Sequence, residues 1–449
     1  MSARDELLAV VPGAVTFDRD VLEGFRRDQA SWSEAGWPMA LARPACTAEV
    51  QALARWASRH RIALVPRGAG TGLSGGANAS DDCVMVSFDR MARILEVDVA
   101  AMIAVVQPGV LNVAVKDAAR DVGLWYPPDP SSFEISSIGG NVATNAGGLC
   151  CVRYGVTGNY VLGLEVVLAD GTVVRVGGRT RKDVAGYQLT QLLVGSEGTL
   201  GLITEITLRL RRPPPPAATV VATFPSLETA GHASAAIMRV ADPAMLELMD
   251  RTTLRAVEAY RPQGLDTNTA AMLIARTDAA GVEATRVSAA CEEAGATLVV
   301  VSDDESEGQL LMAARRLAYP ALLRMGSVLV DDVAVPLPRL PEMLHRIERI
   351  AATHATVIAT VAHAGDGNLH PLVVFDPADP DAEVRAQAAF TAVMEDALAL
   401  GGTITGEHGV GLIKRSFLPR QLGPASFALH ERIKQAFDPD RILNPGKLL

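Results

Sequence analysis

Polar, glycine-rich segments occur three times between residues 66 and 201, and they constrain the fold of this chain more than any other feature. The first runs from Pro66 to Gly76, directly after a short apolar stretch that we predict as a strand. Glycine lets backbone amides turn inward and approach a ligand closely, and a run of such amides forms a nest for phosphate oxygens. The segment lacks the GK[ST] ending of a Walker loop and the distal acid of a Rossmann unit. For this segment alone, a flexible turn is the alternative interpretation.

The second segment runs from Pro127 to Gly148 and mixes glycine and asparagine with serine and threonine. The third, Gly195 to Gly201, again lies next to a predicted strand. Backbone and hydroxyl donors with so little bulk are typical of sites where a ligand approaches the main chain. Together the three segments predict a long ligand with a pyrophosphate in its middle.

Composition and charge exclude several other classes of protein. At 449 residues the chain is too long for one core, so two or three domains are expected. The net charge of −10 without a basic stripe argues against a nucleic-acid partner. No apolar run reaches the roughly 18 residues of a transmembrane segment, and the start lacks the basic region of a signal peptide. We therefore expect a cytoplasmic protein.

The five cysteines predict neither a disulfide framework nor an iron–sulfur cluster. Their number is odd and no CxxC spacing occurs, so the chain cannot supply four cysteines to a cluster in the usual way. Any electrons that the protein handles must therefore leave through a partner.

A proline run divides the chain. Pro213 to Pro216 is a stiff linker between two regions of different pattern. The alternation of strands and helices after it predicts a split βαβ arrangement. The expected division is a helical lead-in over 1–41, a first domain over 42–213, a second over 217–408 and a C-terminal helical segment over 409–449.

Two short motifs hold three of the eight histidines. His363 and His370 are seven positions apart with two glycines between them, and Glu407 and His408 lie between glycines. Two imidazoles and a carboxylate are a common ligand set for catalytic zinc, which keeps one position open. A hydrogen-bonded loop with satisfied histidines explains the first motif equally well.

The order of the three loops resembles the FAD-binding domain of the vanillyl-alcohol oxidase superfamily, the PCMH-type fold. Within it, the chain resembles the D-2-hydroxy-acid dehydrogenase branch, which includes glycolate oxidase flavin subunits, D-lactate dehydrogenases and D-2-hydroxyglutarate dehydrogenases. The resemblance extends from Ala42 to Leu449 and includes the Ile442–Lys447 motif. It implies an α+β fold, in which a PCMH-type FAD-binding domain (42–213) precedes an α/β split-βαβ cap domain that binds substrate. The C-terminal helical segment would return to the FAD domain.

By this resemblance FAD is bound non-covalently, because the first loop has no histidine or cysteine. Cys150 and Cys151 near the second loop are expected to be buried thiols rather than a thioether link. The first loop would hold the pyrophosphate, the second the ribityl and isoalloxazine portion, and the third the adenosine end. The implied cofactor-binding residues are Pro66, Arg67, Gly68, Ala69, Gly70, Thr71, Gly72, Ser74, Gly75, Pro128, Asp129, Ser137, Gly139, Gly140, Thr144, Asn145, Gly147, Gly148, Glu197, Gly198, Gly201, Ile203 and Asn444.

The same resemblance assigns a divalent metal, zinc by preference, to His363, His370 and Glu407, and the role of general base to His408. A bound cation lowers the pKa of the substrate hydroxyl, and a neutral imidazole receives its proton. Arg315 falls on the position of an arginine that binds the substrate carboxylate, whereas the helix alone is explained equally well by a solvated surface arginine. Lys414 is a secondary candidate.

The resemblance also narrows the substrate and the partners. Hydroxyglutarate members carry a lysine where this chain has Val330 and a polar residue where it has Leu372. A small monocarboxylate such as D-lactate or glycolate is therefore expected. The electron acceptor would be an electron-transfer flavoprotein, a quinone or a partner subunit. The resemblance also implies a homodimer. The alternatives are a D-2-hydroxyglutarate dehydrogenase, an oxygen-using oxidase, a non-catalytic FAD-binding subunit and a metal-dependent hydrolase.

Overall fold

The computed structural model describes residues 2–30, 32–279 and 281–449, and the chain divides into two compact units. Unit 1 consists of 1–147, 156–213 and 407–449, and unit 2 of 148–155 and 214–406. Each unit is therefore built from separate stretches of the chain.

The helices are α1 (Ala3–Val10), α2 (Arg19–Glu23), α3 (Thr47–His60), α4 (Asn112–Asp121), α5 (Ile138–Thr144), α6 (Cys151–Tyr154), α7 (Leu189–Leu193), α8 (Leu227–Val240), α9 (Arg251–Tyr260), α10 (Val282–Glu293), α11 (Glu305–Arg316), α12 (Ala318–Leu323), α13 (Leu340–Thr353), α14 (Pro380–Ala399) and α15 (Leu418–Phe437). The strands are β1 (Val15–Thr16), β2 (Ala40–Ala42), β3 (Leu64–Arg67), β4 (Val84–Ser87), β5 (Ile94–Asp98), β6 (Ile103–Val106), β7 (Val161–Val167), β8 (Val173–Gly177), β9 (Leu202–Arg209), β10 (Ala218–Phe224), β11 (Met245–Asp250), β12 (Ala271–Thr277), β13 (Leu298–Ser302), β14 (Ser327–Val330), β15 (Val333–Ala334), β16 (Val357–His363) and β17 (Asn368–Phe375).

Unit 1 contains two sheets. A four-stranded sheet has the order β1-β2-β4-β3, in which β2, β4 and β3 are parallel, and a five-stranded antiparallel sheet has the order β5-β6-β9-β7-β8. Helix α3 covers the first sheet with an apolar face that includes Leu53, Trp56 and Ala57, all fully buried. These positions recur at helical spacing, so burial of this face favours a helix over this segment.

The C-terminal stretch of unit 1 joins the first sheet at β3. The amide of Asn444 donates to the carbonyl of Leu64 at 2.8 Å, and the amide of Leu64 donates to that of Ile442 at 2.7 Å. The last residues of the chain therefore lie beside the strand that leads into the first glycine loop.

Unit 2 is built on one antiparallel sheet with the order β13-β10-β12-β11-β16-β17-β14, and β15 pairs with β17. Strands β10 and β11 flank β12 and are joined through α8, which is the expected split βαβ arrangement. The sequence did not predict β11 and α9, which fill the gap between α8 and β12. Among the described residues, no helix is long and apolar enough to cross a membrane.

Candidate active site

One cavity of unit 1 collects all three glycine-rich segments. The predicted cofactor-binding residues that line it are 66–72, Ser74, Ser137, Gly139, Gly140, Thr144, Gly147, Glu197, Gly198, Gly201 and Ile203. Apolar side chains of Leu73, Phe88 and Leu202 also contribute to the wall. The cavity thus combines bare backbone with apolar surface.

Glycine is required where the loops approach one another. A Cβ atom at Gly68 would lie 2.3 Å from Oγ of Ser137, the residue that caps α5 by accepting a hydrogen bond from the Gly140 amide. Gly198 has a φ of +70°, and a Cβ there would lie 2.3 Å from Cγ of Pro66. Side chains at these positions would push the loops apart, because real Cβ contacts are not this short.

Glu197 ties two parts of this cavity together through its buried carboxylate. One oxygen accepts from the amide of Val410 at 2.7 Å, and the other accepts from that of Gly411 at 2.8 Å. Burial raises the pKa of Glu197 to about 7, although the two amides act in the opposite direction. The carboxylate thereby holds the segment that directly follows His408.

Six predicted cofactor-binding residues do not line the cavity: Gly75, Pro128, Asp129, Asn145, Gly148 and Asn444. Asn145 ends α5 in a left-handed conformation and accepts a hydrogen bond from the Gly158 amide. The side-chain amide of Asn444 donates to the carbonyls of Gly76 and Glu197, at 2.9 and 2.7 Å. Asn444 thereby braces the loops, because Gly76 and Glu197 both belong to the cavity wall.

Glu407 and His408 also line the cavity of unit 1. The carboxylate of Glu407 lies against the second loop, since a Cβ at Gly147 would come within 2.2 Å of its Oε2 atom. Lys414 follows in the same stretch and is buried, but it is not part of the lining. The predicted base and the predicted carboxylate ligand are thus exposed to the same cavity as the glycine loops.

The other two predicted metal ligands lie together in unit 2. His363 ends β16, and His370 on β17 pairs with Val361, two residues before His363, so both side chains project from the same face of the hairpin. Their rings are 5.0 Å apart between centroids and nearly perpendicular. Both histidines are buried. The hairpin therefore supplies two imidazoles to one point.

A buried glutamate that the sequence analysis did not single out joins this histidine pair to the predicted substrate arginine. Glu247 on β11 is fully buried and pairs directly with His363 on the neighbouring strand. Its Oε1 lies 2.6 Å from Nδ1 of His363, and its Oε2 lies 2.9 Å from Nε of Arg315. Burial opposes ionisation of Glu247, but His363 and Arg315 outweigh it and lower the pKa of the carboxyl.

Asp332 stabilises the backbone beside the same pair. Its carboxylate accepts from the Asn368 side-chain amide at 2.7 Å, the Thr405 hydroxyl at 2.6 Å and the Gly406 amide at 2.8 Å. One buried carboxylate thus fastens the start of β17 to the residues that precede Glu407.

Comparison with known proteins gives a consistent family. Residues 38–177 match the family model described as FAD binding domain, and residues 213–448 match that described as FAD linked oxidases, C-terminal domain. Glycolate oxidase subunit GlcD of Bacillus subtilis is 42% identical over 92% of this chain and 89% of the relative. This chain belongs to the FAD-linked oxidases.

Two further relatives have other named activities. The probable mitochondrial D-lactate dehydrogenase of Danio rerio is 36% identical over 90% of this FAD-linked oxidase and 83% of the relative. The D-2-hydroxyglutarate dehydrogenase of Stutzerimonas stutzeri is 35% identical over 99% of the chain and 98% of the relative. Family membership confirms the prediction of an FAD-dependent oxidoreductase, and the named activities define a group rather than one substrate.

The fold prediction is confirmed as well. The structure of p-cresol methylhydroxylase with substrate bound matches 99% of the chain and 96% of its own length, with a TM-score of 0.83 at 17% identity. At that identity the likeness concerns the fold alone, which is the PCMH-type α+β fold.

The cavity of this FAD-linked oxidase fits a flavin dinucleotide. Glycines leave main-chain amides uncovered for a pyrophosphate, and Phe88, Leu202 and Ile203 offer apolar surface to flat rings. Asp28 and Pro108 also line the cavity. No sequence pattern predicted them, because both lie outside the glycine-rich segments. Glu247 did leave a signal, because it is the one charged residue within the apolar stretch 245–249.

Proposed function

We propose that this protein oxidises a small D-2-hydroxy acid, with D-lactate or glycolate favoured, to the corresponding 2-keto acid. The substrate carbon loses a hydride and the hydroxyl loses a proton, so two electrons leave the substrate. FAD, bound non-covalently, supplies the acceptor for the hydride at N5. The observation that carries this proposal is a buried arginine, Arg315, beside a pair of buried histidines in unit 2.

Arg315 is suited to bind the substrate carboxylate. Only 7% of the residue is exposed, and its Nε faces Glu247. Within the part of the chain that the structure describes, its two terminal nitrogens have no hydrogen-bonding partner among the side chains or carbonyls. A guanidinium with an open fork matches the geometry of a carboxylate.

His363, His370 and Glu407 would hold a divalent ion, with zinc as the first choice because nitrogen and carboxylate oxygen are its usual ligands. Nδ1 of His363 contacts Glu247, so Nε2 would be the nitrogen that binds the ion. Glu407 follows Gly406 directly, and the Gly406 amide is bound to Asp332 in the network beside His370. The ion would supply a Lewis acid that lowers the pKa of the substrate hydroxyl.

His408 would act as the general base. It lines the cavity of the glycine loops, and Glu197 holds the residues that follow it. A neutral imidazole in that position takes the hydroxyl proton as the hydride leaves. Lys414 stays a secondary candidate for a charged group near the reaction.

Two apolar residues favour a monocarboxylate. Val330 on β14 and Leu372 on β17 lie directly opposite each other in the sheet of unit 2, and Leu372 is buried. Neither can pair with a second carboxylate, so a hydroxyglutarate substrate would need its counter-charge from elsewhere. An electron-transfer flavoprotein, a quinone or a partner subunit would then reoxidise FAD, and we expect this to take place in the cytoplasm.

An anaerobic visible spectrum of the purified protein tests the proposal. Addition of D-lactate or glycolate should bleach the flavin band, whereas L-lactate and D-2-hydroxyglutarate should bleach it far more slowly. A colourless protein that cannot be reconstituted with FAD would contradict the proposal, and a band that no hydroxy acid bleaches would favour a non-catalytic subunit. Rapid formation of hydrogen peroxide in air would identify an oxidase instead.

His408→Ala tests the role of the base. The rate of bleaching should fall by about 100- to 10,000-fold, the usual contribution of general acid–base catalysis. His430→Ala is the matched control, because His430 lies on α15 of the same unit, does not line the cavity and has its Nδ1 2.9 Å from the Ser426 carbonyl oxygen. Equal rates in the two variants would exclude His408 as the base.

A further inference from the structure

We propose that Glu247 is a positioning residue that couples the arginine for the substrate carboxylate to a metal-binding histidine. This inference rests on the proposed function and deepens it, since it names the group that aligns the two halves of the substrate site. Glu247 touches neither substrate nor metal in this scheme. It acts through Arg315 and His363. Its Oε2 lies 2.9 Å from Nε of Arg315, and its Oε1 lies 2.6 Å from Nδ1 of His363.

Backbone pairing fixes Glu247 in place. Strand β11 is an inner strand, bonded to β12 on one side and to β16 on the other. Glu247 pairs with Ile274 on β12 and with His363 on β16, so its side chain and that of His363 project from the same face at adjacent positions. A residue held between two strands has little freedom to turn away, which makes it a rigid support.

The contact with Glu247 determines which nitrogen of His363 is available. A carboxylate 2.6 Å from Nδ1 keeps the ring proton on that nitrogen. Nε2 is then the ring nitrogen with the acceptor lone pair, and the ring plane is fixed by the same bond. Outer carboxylates of this kind orient metal-binding histidines in many proteins and increase the basicity of the ligand nitrogen.

The contact with Arg315 determines which edge of the guanidinium is available. Because Nε faces Oε2 of Glu247 in an ion pair, the two terminal nitrogens form the edge that points away from Glu247, and a carboxylate can bind there through two parallel hydrogen bonds. Glu247 also neutralises Arg315 while the site holds no substrate, so the buried guanidinium is not an isolated charge.

Both contacts require a carboxylate of glutamate length. Glutamine has a single acceptor oxygen, and its amide group would point its own donors at either Arg315 or His363. Aspartate keeps the charge but is one methylene shorter, so it cannot reach both partners from the same backbone position. Glu247→Gln and Glu247→Asp therefore perturb the coupling in different ways and serve as independent variants.

The experiment uses FAD-loaded protein freed of metal with a chelator. Zinc affinity is measured by calorimetry, and KM and kcat are measured separately with D-lactate. In Glu247→Gln we expect zinc affinity to fall by roughly 10- to 100-fold, the usual effect of losing an outer carboxylate. We expect KM to rise by about tenfold or more, because a hydrogen bond to a charged group is misaligned. Glu247→Asp should lose part of each property.

Asp250→Asn is the matched control, since Asp250 is a buried carboxylate on the same strand that bonds to the Thr253 amide instead of the histidine pair. It should leave zinc affinity and KM unchanged. Wild-type zinc affinity and KM in a folded Glu247→Gln or Glu247→Asp protein would overturn the inference, as would equal losses in Asp250→Asn. A wild-type protein that binds no zinc would contradict the metal site of the proposed function, and the KM of the Glu247 variants would then decide whether the arginine half holds.

Discussion

Two buried glutamates, one in each unit, have opposite tendencies to ionise. Glu197 in unit 1 accepts hydrogen bonds from two backbone amides, and burial raises its pKa to about 7. Glu247 in unit 2 is buried to the same degree but lies beside Arg315 and His363, which lower its pKa. Depth alone therefore does not determine the charge of a carboxyl group. A cationic partner outweighs the loss of hydration, whereas neutral donors offset only part of it.

The difference predicts separate consequences for stability in the two units. Removal of the carboxylate of Glu247 leaves a buried cation without its partner. Burial disfavours the ionised form of Glu197 in the folded protein. Replacing Glu197 by a neutral residue therefore removes a charge that is costly to bury. The variants below test this contrast in order of expected effect.

Glu247→Ala should destabilise unit 2 by about 3–5 kcal/mol, because breaking a buried ion pair leaves Arg315 uncompensated. Urea unfolding followed by far-ultraviolet circular dichroism measures this loss. Trp32, Trp37, Trp56 and Trp125 all belong to unit 1, so tryptophan fluorescence provides an internal control that should shift less. An unchanged circular-dichroism transition would show that the Glu247 pair adds nothing to stability.

Glu197→Gln should remove a pH dependence from unit 1. In the folded state the pKa is raised from its ordinary 4.5 to about 7, so the folded protein binds the proton more tightly. Stability from this group is therefore greatest below pH 4.5 and falls as pH rises to about 7, by about 3 kcal/mol in total. Urea unfolding by tryptophan fluorescence at pH 5 and pH 8 should show this decline in the wild type and not in the variant.

The difference between the two proteins isolates Glu197 from other titrating groups, including Asp28, whose charge also raises the pKa of Glu197. Parallel pH profiles for wild type and variant would mean that Glu197 keeps an ordinary pKa in the folded protein.

Lys434→Met should destabilise unit 1 by about 2 kcal/mol, which is less than the loss at Glu247. Lys434 is bonded to Asp438 and to the carbonyls of Thr199 and Leu443. Asp438 keeps the amides of Ile442 and Leu443 as donors after the lysine is gone, so its charge remains partly satisfied. Thermal unfolding monitored by tryptophan fluorescence gives the value, and a loss above that of Glu247→Ala would reverse the expected order.

Asp250→Asn should change stability at neutral pH by less than about 1 kcal/mol, since asparagine caps a helix as well as aspartate does. Asp250 accepts from the Thr253 amide at 2.7 Å, and burial raises its pKa to about 6. Circular dichroism in urea is again the measurement. A large loss of stability in Asp250→Asn would mean that altering either buried carboxylate on β11 destabilises the protein. The effect of Glu247→Ala could then not be attributed to the ion pair with Arg315.

Local sequence patterns predicted much of unit 1. Apolar residues that recur at helical spacing predict a helix over 47–60, and the structure has α3 there. The three glycine-rich segments could be predicted as ligand-binding because the composition of each one indicates close approach to the backbone. All three line the same cavity. The sequence also favours Thr47 as the capping residue of this helix, and that prediction is wrong. Cys46 precedes the helix without a side-chain cap, and the Thr47 hydroxyl instead donates to Glu165.

The region around Glu247 was beyond the reach of the same reasoning. Strand β11 consists of methionine, leucine, glutamate and aspartate, which are not strand-forming residues, and it was not predicted. Tertiary pairing with β12 and β16 overrides that preference. The partner His363 lies 116 positions away, and nothing in the letters of β11 specifies it. A lone acid in an apolar stretch signals a buried partner but not its identity.

The pairing of Leu64 with Leu443 sets an order of events during synthesis. The ribosome makes β3 early and must add nearly all the remaining chain before the partner segment exists. Unit 2 is complete in sequence at Gly406, before the last stretch of unit 1 has been translated. Contacts between such distant segments form slowly, because a long loop must close first. The residues of the histidine hairpin are therefore synthesised before Asn444, the residue that braces the glycine loops.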